Sequence, residues 1–552
     1  MGKRVLIVGG VAGGMSAATR LRRLDEQATI IVFERGPHVS FANCGLPYYI
    51  GGEITERSKL LVQTPGRLRE VFNLDVRVET EVVAIDREKK EVEVREVKSG
   101  RVYREGYDAL VLSTGAAPLV PPIPGIQREG HFSLRNLDDT DRIHAWVGRK
   151  DVKQAVVVGA GFIGLEMAEQ LVHRGLQVSV VELLPQVLGP LDPEMAAPIQ
   201  AELKKHGVAL YLGDKVERFD EPTSGEKASR VVLGSGQVLP ADLVILGLGV
   251  RPESKLAKDA GLKLGERGGV QVDSHMQTSD PAIWAVGDTV EVRDPITGNQ
   301  GMVPLAGPAN RQGRLAADSI AGRPGAYPGT LGTAIVRVFD QVAATTGASA
   351  KTLKRAGIPF QAVHLHPGSH AGYYPGAKPI HLKVLFDPKT GKLLGAQAVG
   401  EDGVDKRIDV VATVLHHGGT IDDLAELELT YAPPFGSAKD PVNLAGMAAQ
   451  NVRAGDVVPA QWHEVNDLLK QGAALLDVRE PAEYDRGALP GALHIPLGQL
   501  RGRLAEVDRG REWLVYCASG QRSYNACRVL AQHGYRCRNL TGAYRTWSAM
   551  QS

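Results

Sequence analysis

Short apolar runs, each closed by a glycine turn and followed by a polar-faced helical stretch, set the pattern of this 552-residue chain. "KRVLIVGGVAGGMSAATRLRRL" is a β-branched run, a glycine loop and an Ala/Leu/Arg-rich stretch, and "TIIVFERG" follows as a second apolar run. A short run with no polar alternation is the pattern of a strand buried on both faces, so the segment predicts a βαβ unit of a parallel sheet. "QAVVVGAGFIGLEMAEQLVHRGLQVSVVELLP" repeats the pattern. Near the C-terminus, "LVYCASGQRSYNACRVLAQHGY" predicts a strand ending at Cys517, a tight loop, and a helix beginning near Ser523. "MAAQNVRAGDVVPA" reads as a linker between these regions. The length is several times that of one hydrophobic core, which predicts three or four domains.

The two glycine loops add chemistry. Gly9, Val11 and Gly14 take the three positions of a dinucleotide fingerprint, with valine in the middle place and Gly10 and Gly13 keeping the loop compact. In the second copy Gly159, Gly161 and Gly164 are all in place. Loop amides and a helix N-terminus bind pyrophosphate, and an acid about twenty residues on holds the ribose. Glu34 and Glu182 stand in that place. A carboxylate at Glu182 repels a 2′-phosphate, which favours NADH while leaving NADPH possible.

Composition narrows the partners. With 64 basic and 63 acidic residues the net charge is +1, so no general attraction to nucleic acid or an anionic membrane is expected. No apolar run approaches membrane-spanning length. The first residues end in a glycine loop rather than a signal-cleavage site. Four cysteines, Cys44, Cys517, Cys527 and Cys537, are too few for a secreted disulfide framework, and no metal site is expected. The reading is a reduced, cytoplasmic protein acting on small molecules.

"SFANCGLPYY" (40–49) puts Cys44 alone, with no second cysteine following it on the same helix. "LVLSTGAAP" (110–118) and "TSDPAIWAVGDTV" (278–290) resemble flavoprotein signatures. With two Rossmann units, residues 1 to about 450 resemble the pyridine nucleotide-disulfide oxidoreductase superfamily, in its single-cysteine branch of CoA disulfide reductases, CoA-dependent persulfide reductases, NADH oxidases and NADH peroxidases. Residues 459–552 resemble a single-domain rhodanese.

The resemblance implies an α/β protein with two Rossmann-like dinucleotide-binding domains, an α+β dimerisation domain and a C-terminal α/β rhodanese domain. The expected boundaries are 1–120 with 246–325 for FAD, 121–245 for NADH, 326–446 for dimerisation, 447–458 for the linker and 459–552 for the rhodanese. FAD is expected at the first loop, held with the help of Glu34, Arg35, Thr114, Gly115 and Asp288, the last near the flavin's ribityl and phosphate region. CoA, as substrate, is expected at Ser16, Arg20, Arg23, Ser40, Asn43 and Asn310. Tyr431, with either Tyr373 or Tyr374, is expected to reach Cys44 across a homodimer.

Cys44 needs a lowered pKa to cycle as a thiolate, and a helix N-terminus aimed at it is the expected means. In the rhodanese region the loop amides and helix dipole favour a thiolate at Cys517. Four residues separate Cys517 from Arg522, where the related phosphatase loops have five, which favours sulfur over phosphate. Asp477, Arg479 and Glu480 are expected as scaffold charges, and Cys527 and Cys537 as incidental thiols.

The function implied is FAD-dependent, NADH-driven reduction of the sulfane sulfur of CoA persulfide or polysulfide to sulfide. It runs through a Cys44 mixed disulfide with CoA, and Cys517 delivers sulfur from a sulfane-sulfur donor. The alternatives are a CoA disulfide reductase for thiol homeostasis and an NADH oxidase working through a Cys44 sulfenic acid.

Overall fold

The computed structural model describes residues 2–222 and 228–551. Its chain divides into two compact units, Met1–Pro185 with His206–Gly332, and Gln186–Lys205 with Thr333–Ser552.

The first unit holds both dinucleotide folds. Strand Arg4–Val8 lies between Thr29–Phe33 and Ala109–Leu112 in a five-stranded sheet that ends in Asp75–Arg77 and Ile283–Ala285, and these pairings are parallel. Val5, Leu6 and Ile7 are almost wholly buried, as the unalternating pattern requires. The second sheet is built the same way, with Gln154–Val158 between Gln177–Glu182 and Leu243–Leu246.

Helix Ala306–Ile320 lies close against helix Ala12–Leu24 because both carry glycine at the crossing. A Cβ on Gly313 would stand 2.1 Å from the carbonyl oxygen of Gly13. The close approach brings Asn310 to Ser16, whose hydroxyl donates to Asn310 Oδ1 at 2.6 Å.

The second unit contains two sheets. Ala334–Val338, Gln341–Gly347, Leu393–Gly400, Ile380–Phe386 and Gln361–Leu365 form an antiparallel sheet in that order. Pro459–Ala460, Arg536–Leu540, Glu512–Tyr516, Ala474–Asp477 and Leu493–His494 form a parallel one, the α/β layer expected for a rhodanese.

Two expected boundaries shift. Residues 447–453, read as linker, continue helix Pro441–Arg453, because Asp440 caps its N-terminus and Val442, Ala445 and Ala449 form a buried stripe. Helix Pro193–Lys205, read as part of the NADH domain, belongs to the second unit, where its buried acids meet the antiparallel sheet. Lys383 Nζ donates to Asp192 Oδ2 at 2.8 Å and to Glu194 Oε1 at 2.5 Å. Among the described residues no helix is long and apolar enough to cross a membrane.

Candidate functional site: two nucleotide cradles and two separate cysteines

Both glycine loops fold as cradles for an anion. Gly9 takes φ +102°, and a Cβ there would meet the Ser113 carbonyl at 2.1 Å. A Cβ on Gly14 would stand 2.0 Å from the Gly9 carbonyl. Gly159 and Gly164 repeat this geometry, while Gly161 faces open space. Neither helix Ala12–Leu24 nor helix Phe162–His173 has a side-chain cap or an acid in its first turn, so both N-termini stand ready for a phosphate. Glu34 accepts hydrogen bonds from Gly10 N–H at 2.9 Å and Gly36 N–H at 2.8 Å. Glu182 accepts them from Ala160 N–H at 2.7 Å and Leu184 N–H at 2.9 Å. Each acid is thus held at the rim of its loop, and two cradles of one design fit two dinucleotides.

Around the first cradle, Thr114 donates to the Glu253 carbonyl at 2.6 Å, and Gly115 takes φ +72°. Arg35 is committed to the Glu253 carboxylate, with Arg135 on the same group. Burial pushes Asp288 up to about 6. A desolvated carboxylate of this kind suits a hydroxyl-rich ligand such as a ribityl chain, and these residues fit FAD.

Cys44 sits in the 3-10 turn Asn43–Gly45, ahead of the six-residue helix Leu46–Gly51, and its side chain is exposed. The expected lowering of its pKa is not found. Crowding by protein atoms pushes the thiol up, and the Glu166 and Asp288 carboxylates push it further. One short helix does not offset two nearby negative charges. Glu166, in helix Phe162–His173, accepts the Tyr48 hydroxyl at 3.1 Å. The signal for it was an acid two residues past Gly164 in "GFIGLE".

The six CoA candidates fall into different situations. Ser16 and Asn310 bond to each other. Arg20 is tied to Asp318 at 2.7 Å. Arg23 is exposed, and no ion pair holds it among the described residues. Ser40, at φ +46°, donates its N–H to the Gly10 carbonyl at 2.8 Å, and Asn43 is exposed beside Cys44.

In the second unit the tyrosines separate. Tyr373 and Tyr431 share a hydroxyl–hydroxyl hydrogen bond of 2.8 Å, whereas Tyr374 packs edge-on against His370. Tyr373 and Tyr431 remain 76% and 48% exposed, and Phe435 beside them in sequence is 71% exposed. Their two loops are joined where Ala371 N–H donates to the Gly436 carbonyl at 2.9 Å. Arg407 anchors them from below, donating to the Ser369 carbonyl at 2.7 Å and pairing with Asp440.

The rhodanese loop closes around sulfur. Cys517, at the end of strand Glu512–Tyr516, is 1% exposed. Its Sγ accepts Gly520 N–H at 3.1 Å and lies 3.5 Å from the Ser523 hydroxyl. Gly520 takes φ +109°, which glycine tolerates and which turns its amide inward. Helix Gln521–Gln532 then runs away from the sulfur. Arg522 is bound through both terminal nitrogens to Glu483, and this guanidinium holds the Glu483 carboxyl down to about 2. Arg522 therefore braces the loop instead of pointing free into it. Asp477 and Arg479 form a buried pair at 2.6 Å, while Glu480 stands at the N-terminus of the short helix Pro481–Tyr484 and donates its N–H to Glu483 Oε2 at 3.0 Å. Ser523 was read from sequence only as the start of a helix and Glu483 was not singled out; the structure puts them in helices Gln521–Gln532 and Pro481–Tyr484.

Two further contacts were not legible. Cys537 Sγ donates to the Cys527 carbonyl at 3.5 Å, which makes neighbours of two thiols expected only as incidental. The rhodanese fold also bonds to the rest of the second unit: His364 N–H of the antiparallel sheet donates to Thr541 Oγ1 at 2.8 Å, and Trp462 Nε1–H donates to Glu194 Oε2 of helix Pro193–Lys205 at 3.2 Å. Burial would raise Glu194, yet His364 and Lys383 hold it well below the usual carboxylate range.

Comparison with known proteins agrees with this geometry. Residues 3–313 match the family described as pyridine nucleotide-disulphide oxidoreductase, 333–441 its dimerisation domain and 461–550 the rhodanese-like domain. The coenzyme A disulfide reductase of Staphylococcus epidermidis is 37% identical over 448 residues, covering 81% of this chain and 100% of that protein. The crystal structure of reduced Bacillus anthracis CoADR-RHD is 49% identical, with a TM-score of 0.97 over 100% of this chain and 98% of that one. The NAD-dependent persulfide reductase from A. fulgidus is 39% identical, with a TM-score of 0.92 over 99% and 100% of the two chains. The chain thus belongs to the pyridine nucleotide-disulphide oxidoreductase family, whose FAD and nicotinamide cofactors its two glycine cradles fit, and it carries a rhodanese-like domain after the family's dimerisation domain.

Proposed function

We propose that this enzyme uses NADH to reduce the sulfane sulfur of CoA persulfide to sulfide, through Cys44, with Cys517 supplying the sulfur. The observation that carries the reading is the pair of unlike cysteines: an exposed one alone in a flavin-type unit, and a buried one cradled for a sulfur anion. Similarity along almost the whole chain to a persulfide reductase supports it.

Cys517 accepts a sulfane sulfur as a persulfide, whose negative charge the Gly520 amide and Ser523 hydroxyl stabilise. CoA thiolate takes that outer sulfur to give CoA persulfide, and Cys517 leaves as its thiolate. Cys44 attacks the CoA-bound sulfur atom, the S–S bond of the persulfide breaks, hydrosulfide leaves, and a Cys44–CoA mixed disulfide remains. The cradle of Gly9, Gly14 and Glu34 would hold FAD, which would supply the two-electron chemistry, fed by NADH, needed to return this mixed disulfide to Cys44 thiolate and free CoA. The Tyr373–Tyr431 phenol pair supplies the proton for a departing sulfur at Cys44 of the partner subunit, as the resemblance implies. The exposed aromatic surface around the pair suits a subunit contact and supports a homodimer. Glu182 with Leu183 and Leu184 offers a ribose no cation, which supports NADH over NADPH.

A second reading, reduction of CoA disulfide itself, is favoured by the match to a coenzyme A disulfide reductase over its whole length and 81% of this chain. Anaerobic NADH oxidation with polysulfide, with and without CoA, separates the two. The expected outcome is sulfide release that needs CoA and falls at least 100-fold in Cys44→Ser. Cys517→Ser is expected to lose activity with polysulfide and keep it with preformed CoA persulfide. Persulfide reduction that survives Cys44→Ser would overturn the proposal.

A further inference from the structure

Behind the Cys517 loop lie two thiols that the reaction above does not use. Cys527 is on helix Gln521–Gln532, one turn beyond Ser523, so the two side chains share the helix's buried face. Ser523 is the residue whose hydroxyl lies 3.5 Å from Cys517 Sγ. Cys537 is on strand Arg536–Leu540, which pairs with the strand that delivers Cys517, in register with Trp513. The Cys537 thiol reaches the Cys527 carbonyl at 3.5 Å, which puts the two cysteines side by side.

The two sulfurs differ in a useful way. Cys527 is 2% exposed, and burial and the adjacent Cys537 push its thiol well up. Cys537 is only half-buried, and the hydrogen bond from Cys527 lowers its pKa. A nucleophile within reach of solvent therefore stands next to a thiol sheltered from it. Trp513, Ala526 and Leu530 belong to the same core, and the charged groups acting on Cys537 are Glu512 and Arg528, which push its thiol in opposite directions.

We propose that Cys527 and Cys537 form a second thiol centre, which a polysulfide oxidises to a disulfide within the rhodanese domain. Cys537 thiolate attacks a sulfur of the polysulfide, a sulfur–sulfur bond of the donor breaks, and Cys537 becomes a persulfide while a shorter polysulfide leaves. Cys527 then attacks Cys537 Sγ and expels the outer sulfur as hydrosulfide, closing the Cys527–Cys537 bond. Two thiols are oxidised by two electrons, one sulfane sulfur is reduced to sulfide, and the two thiol protons leave with the sulfide. The bond fastens helix Gln521–Gln532 to strand Arg536–Leu540 directly behind the sulfur loop, so it records an excess of sulfane sulfur in the domain that handles it.

The oxidant class rests on the function proposed above, but the step needs neither NADH, CoA nor Cys44, so the two proposals fail separately. The test treats the full-length protein anaerobically with excess inorganic polysulfide, removes it, and maps peptides without reduction. The expected result is a peptide joining Cys527 to Cys537, with the loss of two hydrogens, reversed by dithiothreitol. The link is expected to persist in Cys517→Ser and to vanish in Cys537→Ser. A link from Cys517 to either thiol in the wild type, or no cross-linked peptide at all, would overturn the proposal.

Discussion

The thiol of Cys44 is held toward its protonated form by the residues around it. Crowding, Glu166 and Asp288 all act in that direction, and the short helix after it does not reverse them. Forming the thiolate therefore requires either a proton acceptor or charge brought by what binds beside it. Replacing Glu166 with Gln removes one negative charge while keeping an acceptor for the Tyr48 hydroxyl. The Cys44 thiol is then expected to ionise at lower pH, because the Glu166 carboxylate no longer opposes formation of the thiolate. The pH profile of iodoacetamide reaction at Cys44 checks this, and an unchanged or upward-shifted midpoint would contradict it.

At the scale of elements, the crossing of helices Ala12–Leu24 and Ala306–Ile320 shows how sequence, packing and site connect. Glycine on both sides lets the helices meet, and the meeting brings Ser16 onto Asn310. Gly313→Ala puts a methyl carbon against the Gly13 carbonyl and must separate the helices, at a cost of about 1–3 kcal/mol. Urea unfolding read through flavin release is expected to shift to lower concentration, together with weaker binding of CoA if it takes the Ser16 and Asn310 site that the resemblance implies. Gly307→Ala, on the same helix where a Cβ meets nothing, serves as the control and is expected to leave both unchanged. The loop after strand Glu512–Tyr516 illustrates the other case, an element legible in advance. The strand, the turn and the helix lie within one short stretch of chain, so glycine at the left-handed position and an apolar run are enough to announce them.

At the scale of the molecule, helix Pro193–Lys205 leaves the chain segment of the second Rossmann fold and serves the C-terminal unit, where Asp192 and Glu194 meet Lys383, His364 and Trp462. Glu194→Ala leaves Lys383 buried with one acid fewer, which is expected to cost on the order of 3 kcal/mol. Urea unfolding followed by the fluorescence of Trp462, Trp513 and Trp547 is expected to move to lower concentration, with flavin release little changed. Coincident shifts of both signals would show that the two units unfold as one. By itself the sequence determined both nucleotide cradles, the isolation of Cys44 and the sulfur loop at Cys517, because each depends on backbone geometry within a short segment. Tertiary structure alone decided that Tyr373 and not Tyr374 bonds Tyr431, that Cys527 meets Cys537, and where helix Pro193–Lys205 packs. Periodicity states which face an element buries, but only the folded chain supplies what that face is buried against.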